Sequence, residues 1–169
     1  VEVFLEKNNR PQLTKMSNKK FDRELYEKYD ALGKSTVKHF MKQLGYKLLS
    51  EEEAYKSHDL IFEKDGDEIK VEIQVCRSWE TLQFPYATLN MPLRKKSTTS
   101  DIFITVNRNG SALLTIPMEK ILASPIITKD TCFTRGEKFF NTPQSLARQF
   151  FNSDGEWLNL EDDTLAINL

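Results

Sequence analysis

Cysteine and histidine are scarce in this chain: 169 residues hold two of each, Cys76 and Cys132, His39 and His58. Their positions show no zinc-ligand spacing, which argues against a structural zinc site. Two isolated cysteines, with no export signal ahead of them, are read as reduced thiols. Long apolar runs are also missing, and no stretch approaches the roughly 20 residues that cross a bilayer as a helix. The opening residues, Val1 to Lys7, lack the basic-then-apolar order of a signal peptide, so a cytoplasmic location is expected. Neither sign of charge dominates: the net charge is -1. Bulk electrostatics therefore give no push towards nucleic acid, although a local basic surface can still hold phosphates. Internal repeats and low-complexity tracts are absent.

What is there suits one globular domain. The hydrophobic share is 39% and the charged share 29%, ordinary values that exclude bulk disorder. Residues 1–18 are polar, broken by Asn8-Asn9-Arg10-Pro11, and are read as an N-terminal extension. Residues 19–152 form the core domain, and residues 153–169 a tail packed on or near it.

The strongest periodicity runs from about Lys20 to Leu44. Phe21, Leu25, Tyr29, Leu32, Thr36, Val37, Phe40 and Leu44 make one apolar stripe at helical spacing. Asn18 or Ser17 is placed to cap its start, and Gly45 to end it. Gly33 lies inside the stripe, where a missing side chain lets a helix sit close on a sheet. Strands are expected at Tyr46–Leu49, Asp59–Glu63, Glu68–Val75, Asp101–Val106 and Ala112–Ile116. Asp65-Gly66 and Asn109-Gly110 supply the hairpin turns. Glu51-Glu52-Glu53 reads as a solvated turn. A short helix is expected after Pro117, and another from Thr142-Pro143 to about Phe151, where a cap precedes proline at the first helical position. Residues 77–100 and the tail show no firm period. The order predicts an α/β or α+β fold, a sheet with helices packed on it.

The chemistry concentrates in one hairpin. Asp59 begins a strand and Glu72 lies within its partner. On that partner Lys70, Glu72, Gln74 and Cys76 share one face, because side chains two apart on a strand point the same way. Asp59 and Glu72 are expected to converge across the hairpin. Two carboxylates suit a hard divalent cation such as magnesium, which can polarise a phosphate and activate water. Solvated carboxylates on an open sheet face are the plainer alternative. Arg94-Lys95-Lys96, with Arg77 upstream, is the best basic cluster for phosphate contacts. Trp79, Phe84 and Tyr86 lie between the hairpin and that cluster, where base stacking and core packing compete, with core packing expected for at least two of them.

The helix ending in Leu44-Gly45-Tyr46-Lys47-Leu48-Leu49, then Asp59-Leu60-Ile61-Phe62, then Val71-Glu72-Ile73-Gln74, resembles the core of the PD-(D/E)XK nucleases. That superfamily includes restriction endonucleases, Holliday-junction resolvases and some homing endonucleases. The likeness covers roughly residues 20–120. It implies a central mixed β-sheet flanked by helices, restriction-endonuclease-like, and a metal-dependent endonuclease acting on DNA. Asp59 matches the family's first aspartate and Glu72 its second acid. His58 stands where the family has proline, and Gln74 where it has lysine, with Lys70 on the same face as a displaced positive charge. The resemblance thus implies Asp59, Glu72, Gln74 and Lys70 as catalytic, with Mg2+, or Mn2+ in its place, held by Asp59 and Glu72. The family often adds an acid from the first helix; Asp30, at the edge of the stripe, is favoured over Glu27, while Glu24 faces solvent. A homodimer or higher symmetric oligomer is the expected assembly, because enzymes that cut both strands are often two-fold symmetric. Gln74 keeps a second function open, a nucleic-acid-binding or assembly module that retains the fold without catalysis. A plain interaction domain is the third.

Overall fold

The computed structural model describes residues 1–4, 20–51 and 59–169. In chain order these form β1 (Glu2–Phe4), α1 (Arg23–Gln43), β2 (Lys47–Glu51), β3 (Leu60–Lys64), β4 (Asp67–Cys76), β5 (Thr88–Pro92), β6 (Ile102–Asn107) and β7 (Ala112–Pro117). Then follow α2 (Met118–Leu122), β8 (Ile126–Lys129), β9 (Glu137–Pro143), β10 (Arg148–Ser153) and β11 (Glu156–Asn159). Two 3-10 turns, Leu93–Lys95 and Gln144–Leu146, follow β5 and β9. The fold is α+β, with a mixed sheet and few helices. Among the described residues no helix is long and apolar enough to cross a membrane.

Eight strands make the main sheet, in the order β11-β10-β7-β6-β4-β3-β2, with β1 also paired to β4. The β4–β6 and β1–β4 pairs are parallel and the others antiparallel. The β3–β4 turn follows from sequence. Asp65 (φ 54°) and Gly66 (φ 84°) both take positive φ, the conformation a two-residue hairpin demands and Asp-Gly tolerates. That turn pins Leu60 opposite Val71 and so sets the register of the chemistry-bearing strands.

The helix α1 packs on one face of this sheet. Tyr29, Val37, Phe40, Met41 and Leu44 bury against Val71, Ile73, Val75, Ile104 and Val106. Gly33 is why the helix lies so close. A Cβ there would stand 2.9 Å from Val75 Cγ2 and 3.2 Å from Ile73 Cγ2. The helix starts at Arg23, with Asp22 accepting from the Leu25 N–H as its cap. The expected start near Lys20 is therefore three residues early, and Phe21, assigned to the stripe, is 68% exposed. The candidate caps Ser17 and Asn18, and Glu52, Glu53 and His58, lie outside the described residues.

A second sheet, β5-β9-β8, covers the opposite face together with α2. Leu89, Met91 and Phe140 pack there on Phe103, Leu114 and Ile116, with Trp79 and Phe84 buried beside them. These two aromatics are core, as the packing expectation held. The helix expected over residues 142–151 is absent. Thr142 and Pro143 end β9, one 3-10 turn follows, and β10 begins at Arg148. The Thr-Pro signal starts a single turn, but Phe150, wholly buried against α1 and paired with Leu113, draws the chain into the main sheet. Residues 156–159, which showed no period, form that sheet's edge strand.

Candidate functional site

The central strand β4 organises the candidate residues. One of its edges pairs with β6 from Val71 to Cys76. The other edge is shared: β3 pairs with it up to Val71, and β1 takes over from Gln74. Between them the Ile73 N–H has no strand partner, and Asp59 fills the gap. Its Oδ2 accepts from Ile73 N at 2.7 Å, while its own N–H donates to Val71 O at 2.9 Å. The aspartate thus replaces one rung of the ladder and is held by the backbone it completes.

The other oxygen of Asp59 meets a carboxylate of α1 at the Val1 nitrogen. Oδ1 lies 2.5 Å from the amino nitrogen of Val1, and Asp30 Oδ1 lies 3.4 Å from the same nitrogen. Asp30 comes from α1, so helix and strand edge each deliver a carboxylate to one position. The two oxygens can be no farther apart than these contacts laid end to end. Lys34, one turn along α1, reaches Asp30 Oδ2 at 3.2 Å and Glu51 at 3.7 Å. Lys38 donates to Glu51 at 2.6 Å, and this bond is the main reason the Glu51 carboxyl titrates below its usual range.

Glu72 stands at the register position facing Asp59, one beyond Leu60 and Val71. Its side chain is nearly buried, and its partner is Lys95, at the end of the 3-10 turn after β5. Lys95 also lies 3.9 Å from Glu2, which in turn bonds Arg94. Arg94 reaches Glu137 at 3.4 Å. Partial burial disfavours the Arg94 cation, but Glu2 and then Glu137 outweigh it and raise its pKa. Asp59 and Glu72 thus have different partners, the Ile73 N–H for one and Lys95 for the other. Among the described residues no three of His, Cys, Asp and Glu gather as a metal cage.

Gln74 is also buried, but in a different setting. It lines a small cavity of about 10 Å3 with Cys76, Phe84, Tyr86, Leu89 and Thr105. Gln74 Oε1 and Thr105 Oγ1 have no hydrogen-bond partner there. That volume is about one water's worth, and a buried polar pair of this kind is what an internal water satisfies. Lys70 keeps its place on the Glu72 face by alternation. Its backbone N–H donates to Asp101 Oδ2, and its carbonyl accepts from Asp101 N, both at 2.8 Å. Arg77 stacks its guanidinium 5.0 Å from the Tyr29 ring centroid, and Lys96 is exposed.

Sequence reasoning grouped Lys95 with Arg94 and Lys96 as phosphate contacts; the structure makes it the counter-ion of Glu72. It also missed Glu2, which links Lys95 to Arg94, and Lys34 beside Asp30. One signal was available: a glutamate on the covered face of a central strand must have a cation. The pattern states that need without naming the supplier, because β5 and its turn reach β4 only through the tertiary fold. No family model matches the chain, and neither a curated protein nor a solved structure matches it.

Proposed function

We propose that this chain is a divalent-metal-dependent nuclease of the PD-(D/E)XK kind, hydrolysing DNA phosphodiester bonds. The observation that carries the reading is the convergence of Asp30, from α1, and Asp59, at the edge of β4, on one position, with the lysine-paired Glu72 on the same strand. Two carboxylates are enough for magnesium, which binds through one or two acids and keeps several waters. Asp59 is fixed by the Ile73 N–H, so it presents one oxygen outward with little freedom to lose. Magnesium or manganese bound there supplies Lewis-acid polarisation of a phosphate oxygen and neutralises its charge. Lys95 takes the role that Gln74, enclosed in its own cavity, is not placed to fill. Its ammonium, held at Glu72, offers positive charge to a phosphate oxygen as negative charge builds there. Glu72 orients that lysine. Cutting both strands calls for a symmetric homodimer, to be read from the solution mass with and without DNA.

Incubation with supercoiled plasmid tests the reading. Nicking is expected with Mg2+ or Mn2+ and none in EDTA. Asp59→Asn and Glu72→Gln, each shown to be folded, are expected to slow it by about 100-fold or more. No cleavage by folded wild type in either metal sinks the enzymatic reading. One observation favours a second reading, a DNA-binding module on the same fold without catalysis: Gln74 is closed off where the family carries lysine. That module binds DNA in Ca2+ and leaves it uncut in Mg2+ and Mn2+.

A further inference from the structure

A cavity of about 260 Å3 opens beside the candidate site, between the start of α1 and the end of β4. Arg77 and Arg94 line it together with Phe21, Tyr26, Phe133 and Glu2. Sites for drug-sized ligands run roughly 300–1,000 Å3, so this one fits a single ring system with a small polar group. Its charges are unevenly satisfied. Glu2 is turned to Arg94, and Asp22, also on the wall, is occupied as the cap of α1. Among the described residues Arg77 has no such partner. It makes its contact with the Tyr29 ring, and its buried Nε has no acceptor among the described residues. A buried N–H without an acceptor is costly, and an anion at the half-buried guanidinium relieves that cost with strong, charge-assisted hydrogen bonds.

The rest of the wall is apolar, with Val3 and Leu25 beside three aromatic rings. Phe21 and Tyr26 stand with ring centroids 5.5 Å apart, and Phe21 and Phe133 are 68% and 41% exposed. Exposed rings beside an unsatisfied guanidinium are the pairing that binds a base and its phosphate. Arg94 links the cavity to the candidate site, since its partner Glu2 also touches Lys95, the counter-ion of Glu72.

We propose that this cavity binds one unpaired nucleotide, its base against Phe21, Tyr26 and Phe133 and its phosphate on Arg77. The inference rests on the nuclease reading and deepens it: the preferred substrate carries single-stranded or unpaired nucleotides next to the bond that is cut. The same chemistry is offered by a free nucleotide and by a unit of a strand.

Fluorescence anisotropy in Ca2+ separates these sources. The probes are a labelled eight-nucleotide DNA strand, its abasic counterpart and a blunt duplex, with unlabelled deoxyadenosine monophosphate as competitor. The normal strand is expected to bind at least about tenfold more tightly than the duplex or the abasic strand. Arg77→Gln and Phe21→Ala, the latter at an exposed position outside the helix, are each expected to lose about tenfold for the normal strand, and Phe21→Trp to keep it. Competition by the mononucleotide at micromolar concentration assigns the cavity to free nucleotides; failure to compete assigns it to strands. Equal binding of all three probes overturns the proposal, as does wild-type affinity in both Arg77→Gln and Phe21→Ala. If the plasmid is still cut, that result leaves the nuclease reading standing. Strand preference without cleavage in Mg2+ or Mn2+ does the reverse.

Discussion

Gly33 and Lys95 show how much can rest on one side chain, in opposite senses. In an exposed helix, replacing glycine with alanine is worth about 1 kcal/mol in favour of folding. At Gly33 the added Cβ meets Val75 and Ile73, branched side chains fixed in a strand that cannot easily yield. Overpacking of this kind costs about 1–3 kcal/mol. Gly33→Ala is therefore expected to lower the urea midpoint, and a rise would mean that α1 is free to lift from the sheet. Lys95 is needed for its charge. Glu72 keeps only 4% of its side chain exposed, so removing its cation strands a buried carboxylate, at roughly 3–5 kcal/mol. Lys95→Met is expected to destabilise strongly, and the double variant Lys95→Met with Glu72→Gln to recover most of the loss. Denaturation of both variants and wild type checks this. If the double variant is no better than the single, the pair is not the coupled unit described here.

At the scale of elements, the edge of the main sheet is fastened by a side chain rather than by another strand. Gln43, in the last turn of α1, donates to the carbonyls of Trp157 at 2.8 Å and Ala166 at 3.0 Å. It also accepts from the Trp157 N–H at 2.6 Å. Three backbone groups of β11 and the segment after it thus close on one amide. The Trp157 ring then packs edge-on to Phe40, with centroids 5.5 Å apart. Gln43→Ala takes the partner from the Trp157 N–H and the Ala166 carbonyl, while the Trp157 carbonyl keeps the Ala166 N–H, at about 1–3 kcal/mol. Faster amide exchange at Trp157 and Ala166 is expected, with β4 and β6 unaffected. Exchange that rises equally throughout the sheet would show that Gln43 supports the whole fold. The same edge explains why residues 142–151 escaped helical patterning. A capping signal governs one turn, whereas burying Phe150 against Phe40 and Trp157 governs the whole segment.

For the whole molecule, pH is the simplest global probe. Glu51, hydrogen-bonded to Lys38, and Asp162, hydrogen-bonded to Thr164, both titrate below their usual range in the folded chain. A lowered folded pKa means that the unfolded chain takes up protons first as pH falls. Their contribution is complete above the ordinary carboxylate range, and it fades as pH drops through the lowered values. The urea midpoint is expected to fall between about pH 5 and pH 3. Glu51→Gln should flatten part of that slope, by less than about 1 kcal/mol, because the side chain is 41% exposed and solvent screens the pair. An unchanged slope in Glu51→Gln would show that the Lys38 bond does not persist in solution.

Local chemistry alone determined a good deal of this protein. The stripe from Leu25 to Leu44 with Gly33 inside it, the Asp65-Gly66 turn, and the alternation from Ile69 to Cys76 were all legible. Each depends on neighbours a few residues apart. The same alternation put Lys70, Glu72 and Gln74 on one face, and helical spacing put Asp30 at the edge of the stripe. Only the tertiary structure decided which charges meet: Asp30 with Asp59, Lys95 with Glu72, and Glu2 with Arg94. These partners lie tens of residues apart in sequence. Charge pairing in a folded chain depends on which surfaces are brought out of water together, and no local pattern encodes that. Gln74 makes the point at one atom: its face was readable from the strand, but its enclosure required β5 and β6 to close around it.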